Sequence, residues 1–97
     1  MIQHIVLFRF KPDPADDRVT AAGMALVGML GQIPEIHAIR WVRNQGPSAA
    51  EWPWVLTVEV EDMDALQRYT DHPIHQEVVR RYLAPHREAR LALDVEA

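Results

Sequence analysis

The chain has 97 residues, with 10 Lys and Arg against 14 Asp and Glu, a formal net charge of −4, and no cysteine. That length holds one domain and no second. The acidic balance argues against general nucleic-acid binding, and the lack of cysteine excludes disulfides, thiolate catalysis and cysteine-rich zinc sites. Hydrophobic residues make up 48% of the sequence, so a domain this small gains from self-association. No apolar run reaches the roughly 18 residues a membrane span needs, and Met1-Ile2-Gln3-His4 lacks a basic leader. A cytoplasmic protein with no membrane partner is expected.

Residues 2–11 read as a strand. Ile2, His4, Val6, Phe8 and Phe10 share one face, while Ile5 and Leu7 occupy the other, so both faces are expected to be covered. Asp13-Pro14-Ala15-Asp16 reads as a helix start, with a capping carboxylate, proline at the first helical position and acids near the positive end of the dipole. The helix is expected to run to about Gln32, with Val19, Ala22, Leu26, Leu30 and Ile33 as its buried stripe, and to end at Gly31 and Pro34. Gly23 and Gly28 each cost a helix roughly 1 kcal/mol against alanine; a close approach to the sheet would explain them.

Residues 35–43 predict a second strand, with Ile36, Ala38 and Val42 on one face and Ile39 and Trp41 on the other. Asn44 to Ser48 is turn chemistry, and the loop extends to about Pro53. Trp54, Leu56, Val58 and Val60 alternate with Val55, Thr57, Glu59 and Glu61 in a third strand. Asp62 caps a short helix carrying Ala65, Leu66 and Tyr69. The His72-Pro73 step breaks it and opens another helix to about Leu83. A last strand has Ala89, Leu91, Leu93 and Val95 on one face and Arg90, Ala92, Asp94 and Glu96 on the other. Arg80, Arg81, Arg87 and Arg90 are interleaved with Glu77 and Glu88, which reads as a solvated surface.

The order is β-α-β-β-α-β with the second helix split. This predicts an α+β, ferredoxin-like domain: an antiparallel sheet of four strands with helices on one face. The second sheet face, carrying Ile5, Leu7, Ile39 and Trp41 or their alternates, is too apolar to leave in water. A homodimer closing sheet against sheet is the simplest remedy.

The segment Tyr69-Thr70-Asp71-His72-Pro73-Ile74-His75 places a phenol and two imidazoles around a proline. Pro73 suits the first turn of a helix and sets His72 at the boundary. His75 then shares helical spacing with Val78, Val79 and Tyr82, on the inward face. His72 and His75 are three apart, but the pre-proline position takes His72 off the helical face, so they do not form a metal pair. A surface Mg²⁺ held with the help of Asp71 and Glu77 is a third alternative with little sequence signature, and no metal site is expected.

Several segments together resemble the stress-responsive A/B barrel (Dabb) family. They are His4-Ile5-Val6-Leu7-Phe8-Arg9-Phe10-Lys11, Ile33-Pro34-Glu35-Ile36, and Tyr69-x-x-His72-Pro73-x-His75-x-x-Val78 followed by Pro85. The resemblance spans essentially the whole chain. It implies a dimeric α+β barrel in which each subunit supplies one ferredoxin-like half. Most members have no assigned activity, and plant relatives are linked to stress responses. One branch contains a polyketide cyclase whose tyrosine–histidine pair maps onto Tyr69 and His75, and whose first-strand histidine maps onto His4. A third-strand pocket histidine of that enzyme has no counterpart, because Trp54 falls at about that position.

Two readings of Tyr69 and His75 follow. An imidazole with an ordinary pKa near 6.5 is suited to remove an acidic α-proton from a carbonyl compound, with the tyrosine hydroxyl orienting it or donating to the enolate oxygen. Neither role needs a metal or organic cofactor. In the structural alternative, the two residues hydrogen-bond to each other and lock the helix break. His4 joins the site only if it points to the same place as His75. The aromatic set Phe8, Phe10, Trp41, Trp54 and Tyr82 reads as core and dimer interface or as the wall of a ligand pocket. The expected protein is a homodimer that binds a small apolar or polyketide-like ligand, or serves a stress-related role, near His4, Tyr69 and His75. The alternatives are a cofactor-independent cyclase and a cofactor-independent monooxygenase.

Overall fold

β1 (Ile2–Phe10) is the spine of the sheet, pairing antiparallel with two neighbours. The computed structural model describes residues 1–13 and 15–97. β1 lies between β3 (Trp54–Val60) and β4 (Arg87–Glu96), and β2 (Ala38–Arg43) adds to the far side of β3, giving the order β2-β3-β1-β4. Each of these pairings is antiparallel. The expected ferredoxin-like arrangement is therefore present, and the alternation in each strand sets its two faces. Val6, Phe8, Ile39, Leu56, Val58 and Val60 are buried under the helices.

α1 (Asp16–Val27) begins later than its sequence suggests. Ala15 is the residue before the first turn, and no side chain caps it. Asp13 is thus not the cap, although Asp16 and Asp17 still favour the positive end of the dipole. Pro14, expected at the first helical position, lies outside the described residues.

The same helix ends early, at Val27 rather than Gln32. Gly28 closes it, and the next amides turn back by three residues, Met29 to Leu26 and Leu30 to Val27. The Gln32 side-chain amide donates to the Gly28 carbonyl at 2.6 Å, satisfying a group the helix end leaves free. Gly31 has φ +86, which a side chain rarely adopts. Past the helix the 3.6-residue spacing no longer applies, so Met29 is buried and Leu30 is exposed.

β2 is shorter than expected, since residues 35–37 stay outside the ladder. Ile39 and Trp41 face the helices, so their alternates Ala38, Arg40 and Val42 occupy the outer face. Trp41 packs onto α1 at Gly23, where an added Cβ would stand 2.4 Å from the indole Cδ1. The close approach suspected from this glycine is real. Phe8, Phe10, Trp41 and Trp54 form one chain of ring contacts beneath α1. They belong to the helix side and not to the outer sheet face.

α2 (Met63–Asp71) starts at Asp62, whose carboxylate accepts the Ala65 amide at 2.8 Å. α3 (Pro73–Val78) follows after one residue, and a π-helical turn, Val79–Leu83, completes the segment. α1 lies over β2, and α2 lies over β1 and β3. The helix-side flank of β4 is left largely without a roof. On the other face of the sheet, Ile5, Leu7 and Val55 are half-buried, and Leu91, Leu93 and Val95 are 45%, 46% and 40% exposed. No helix among the described residues is long and apolar enough to cross a membrane.

Candidate functional site

The three candidate side chains come from three elements and meet where the helices stop and β4 is left open. His72 makes the geometry. As the residue before proline it holds φ −62 and ψ 134, extended backbone that ends α2, and its Nδ1 accepts the Ile74 amide at 3.1 Å to start α3. It is a boundary residue, as its place before Pro73 predicts.

The sharp turn brings His75 back onto the last turn of α2. Its Nδ1–H donates to the Thr70 carbonyl at 2.9 Å, one of the carbonyls a helix C-terminus cannot satisfy itself. Because a carbonyl only accepts, this bond places the proton of a neutral imidazole on Nδ1 and leaves the Nε2 lone pair free. Burial pushes the His75 pKa down from 6.5; the Thr70 bond opposes that shift, while the charges of His4, Arg90 and His72 add to it.

Tyr69 is wholly buried on the inward face of α2. Its ring lies 4.5 Å from the His75 ring at 53° and 6.0 Å from the His4 ring, edge-on. The two residues of the expected pair touch through their rings without a hydrogen bond. The Tyr69 hydroxyl is buried and has no partner among the described residues. Burial is also what raises its pKa, against a smaller opposing effect of the Arg90 charge.

His4 does point to the same place. Its Nδ1 meets the Asp94 carboxylate at 2.6 Å, with the histidine side chain 13% and the aspartate 32% exposed. β4 supplies this contact because Asp94 stands directly opposite His4 in the ladder. Nδ1 of His4 thus donates to the carboxylate, and Nε2 is again the free nitrogen. The resulting row, Asp94–His4–Tyr69–His75, contains two imidazoles with the same tautomer on either side of a buried phenol.

Asp94 was not a sequence candidate, nor was Arg90, which shares the helix-side face of β4 two positions before Ala92. Arg90 is exposed, as the interleaved charges predict, and its charge is felt at Tyr69, His75 and Arg87. The strand alternation already put Arg90 and Asp94 on one face; only the register against β1 shows which face and which partners.

Asp71 and Glu77, the carboxylates considered for a cation, are engaged elsewhere. Asp71 accepts from Gln67, and Glu77 takes Arg80 through both oxygens. No three His, Asp or Glu side chains among the described residues gather as a metal-binding set.

The Tyr69 hydroxyl at the centre of the row is closed to solvent. A hollow of about 580 Å³ lies elsewhere, over α1 and the stacked Trp41 and Trp54, and another of about 420 Å³ lies between the chain ends and Asp62. Neither is lined by His4, Tyr69 or His75.

These features have known counterparts. The family model described as Stress responsive A/B Barrel Domain matches residues 2–97. An uncharacterised protein of Streptomyces coelicolor is 33% identical over 78 residues, which span 78% of this chain and 80% of that protein. A dimeric ferredoxin-like protein of unknown function from Thermobifida fusca superposes with a TM-score of 0.84 at 26% identity, covering 99% of this chain and 90% of its own. A Dabb family protein with a ferredoxin-like fold from Mesorhizobium loti gives 0.85 at 25% identity, covering 99% and 95%. A four-stranded sheet with this motif, matched across its length, places the chain in the stress-responsive A/B barrel family.

Proposed function

We propose that the protein is a homodimer whose subunits each bind a small carbonyl compound at the open flank of β4, against His4, Tyr69 and His75. The buried, unpartnered Tyr69 hydroxyl carries this reading. A hydroxyl taken out of water costs free energy unless it finds a partner. The structural alternative supplied His75 as that partner, but the two side chains meet only through their rings and no hydrogen bond joins them. A ligand oxygen brought to the phenol would accept a hydrogen bond from it, with the two free Nε2 atoms on either side.

Dimerisation would proceed through the outer sheet face. Leu91, Leu93 and Val95 are too apolar to face water, and they join Ile5, Leu7 and Val55 in one patch. Relatives at similar identity are described as dimeric.

The site would also be suited to move a proton. His75 is held in one tautomer with a basic nitrogen free, and its lowered pKa keeps it neutral at pH 7. The step would transfer an α-proton from the carbonyl compound to Nε2, while Tyr69 donates a hydrogen bond to the forming enolate oxygen.

The test is calorimetric titration with a simple aryl ketone, methyl 3-benzoylpropanoate, of the wild type, Tyr69→Phe and His75→Asn. Weaker binding in Tyr69→Phe supports the reading. Equal binding in all three proteins contradicts it. For the proton transfer, NMR would follow exchange of the ketone's α-protons in deuterated water. His75→Asn retains an amide able to bond Thr70 but has no base, so exchange should fall to the uncatalysed rate.

A further inference from the structure

The Tyr69 hydroxyl is shut off from solvent and bonds to nothing among the described residues. The flank of β4 beside it has little roof, yet the hydroxyl stays closed, so a ligand reaches it only if something that covers Tyr69 moves. His4 is not free to do so. It sits in β1, which is laddered on both sides, opposite Val58 and Asp94, and the Asp94 carboxylate holds its ring. α2 is fixed as well: it carries Tyr69 itself, is capped by Asp62, and buries Ala65 and Leu66.

α3 differs on each count. It has six residues, of which only Val78 is buried, and a helix this short is marginal without packing. It leans on α2 and α1 and touches the sheet hardly at all. Both of its ends are joints. At the first, His72 is extended, with ψ 134, and the new helix starts from its side-chain bond to the Ile74 amide. At the second, the α-helical ladder gives way to the π-helical turn, where the Ala84 amide donates to the Val79 carbonyl at 2.8 Å. Turns of this kind interrupt regular helices and recur at functional sites. Buried Val78 and Leu83 anchor this second joint in the core, whereas Pro73, Gln76 and Glu77 are exposed. Between the joints stands His75. Its ring lies 4.5 Å from the Tyr69 ring, and its bond to the Thr70 carbonyl, at 2.9 Å, ties α3 down to α2.

We infer that residues 73–77 form a lid over Tyr69, hinged at the His72-Pro73 step and at the π-helical turn. When the lid lifts, the His75–Thr70 bond breaks and the His75 ring leaves the phenol, so the ligand enters. Closure restores the bond and returns Nε2 of His75 to the ligand. The inference rests on the carbonyl-site reading above and adds to it the way in. Such a local opening needs less free energy than unfolding, because few buried contacts are given up.

Two measurements test the lid. Amide hydrogen exchange of the unliganded protein, followed by NMR, reads its opening, and stopped-flow binding of methyl 3-benzoylpropanoate reads entry. Both are made on the wild type and on His72→Ala, which removes the bond that starts α3 and keeps His4, Tyr69 and His75. In the wild type the Glu77 and Val78 amides should exchange at least roughly tenfold faster than those of Arg68 and Tyr69 in α2. The binding rate should level off as the ester concentration rises, because opening precedes entry. His72→Ala should raise the α3 exchange and the plateau by the same factor, roughly five- to tenfold, the worth of a helix cap. Exchange in α2 should stay as it is. Exchange of α2 and α3 at one rate overturns the lid. So does a binding rate that never levels off, or a His72→Ala variant whose α3 exchanges faster while the ester enters at the wild-type rate. If the ester binds neither protein, the carbonyl-site reading fails, and the exchange comparison alone decides the lid.

Discussion

His4 and Asp94 are 90 positions apart in the chain, yet their side chains meet at 2.6 Å across the β1–β4 ladder. The carboxylate holds the proton of the neutral imidazole on Nδ1, which a free histidine side chain does not favour. Asp94→Ala should therefore release that proton to Nε2. The nitrogen-15 shifts of the His4 ring report this directly, and an unchanged Nδ1–H signal would deny Asp94 its positioning role. Because the pair is partly exposed, stability should change by no more than about 1 kcal/mol.

Tyr69→Phe separates a core residue from a binding residue. The ring stays in the core, and only a hydroxyl without a partner is removed. Stability measured by denaturant unfolding should be unchanged or higher, by up to about 1 kcal/mol. A loss of more than that would mean the hydroxyl is already satisfied within the fold.

The lowered pKa of His75 predicts a pH dependence with a definite sign. Below its ordinary value of 6.5 the unfolded chain takes up a proton that the folded one resists. Between 6.5 and the lower folded value, the unfolded state binds more protons, so folding stability decreases as pH falls through that window and is fully present above it. The difference in unfolding free energy between the wild type and His75→Asn, followed from pH 8 to pH 5, should show this slope. A flat difference would mean that burial does not hold the imidazole neutral.

Much of the fold was legible because the physics that makes it is local. Strand alternation, the Asp62 cap and the His72-Pro73 step each depend on a few adjacent residues, and each is where the sequence placed it. The ends of α1 were not legible. Gly28 and the turn to Gly31 override an apolar spacing that continues past them, and the start lacks the side-chain cap expected of Asp13. The site was half legible. Tyr69, His75 and His4 stand out as residue types, whereas Asp94 becomes a partner of His4 only through the register of β4 on β1. A one-residue slip would turn it away. The absence of a bond between Tyr69 and His75 was not legible either, since sequence spacing gives proximity but not which atom bonds which.

Gly23→Ala tests the approach of α1 to the sheet. Alanine favours a helix by roughly 1 kcal/mol over glycine, but its Cβ would stand 2.4 Å from Trp41 Cδ1 and 2.6 Å from Nε1. Overpacking of this kind costs about 1–3 kcal/mol. Thermal or denaturant unfolding should show a net loss of stability, accompanied by a shift in tryptophan emission. A stabilised variant would mean that Trp41 moves away freely.

Leu93→Glu places a charge in the centre of the outer sheet face, opposite Ile5. Light scattering at micromolar concentration should then give a monomer where the wild type gives a dimer. A wild-type monomer at that concentration, or an unaffected dimer in the variant, would refute the sheet-to-sheet arrangement.

The most direct measurement of the binding site is an NMR titration of the protein with methyl 3-benzoylpropanoate, following the histidine, tyrosine and tryptophan ring signals together. The account predicts saturable shifts at His4, Tyr69 and His75, with Trp41 and Trp54 undisturbed. Shifts confined to the tryptophan-lined hollow over α1, or none at the three rings, would contradict it.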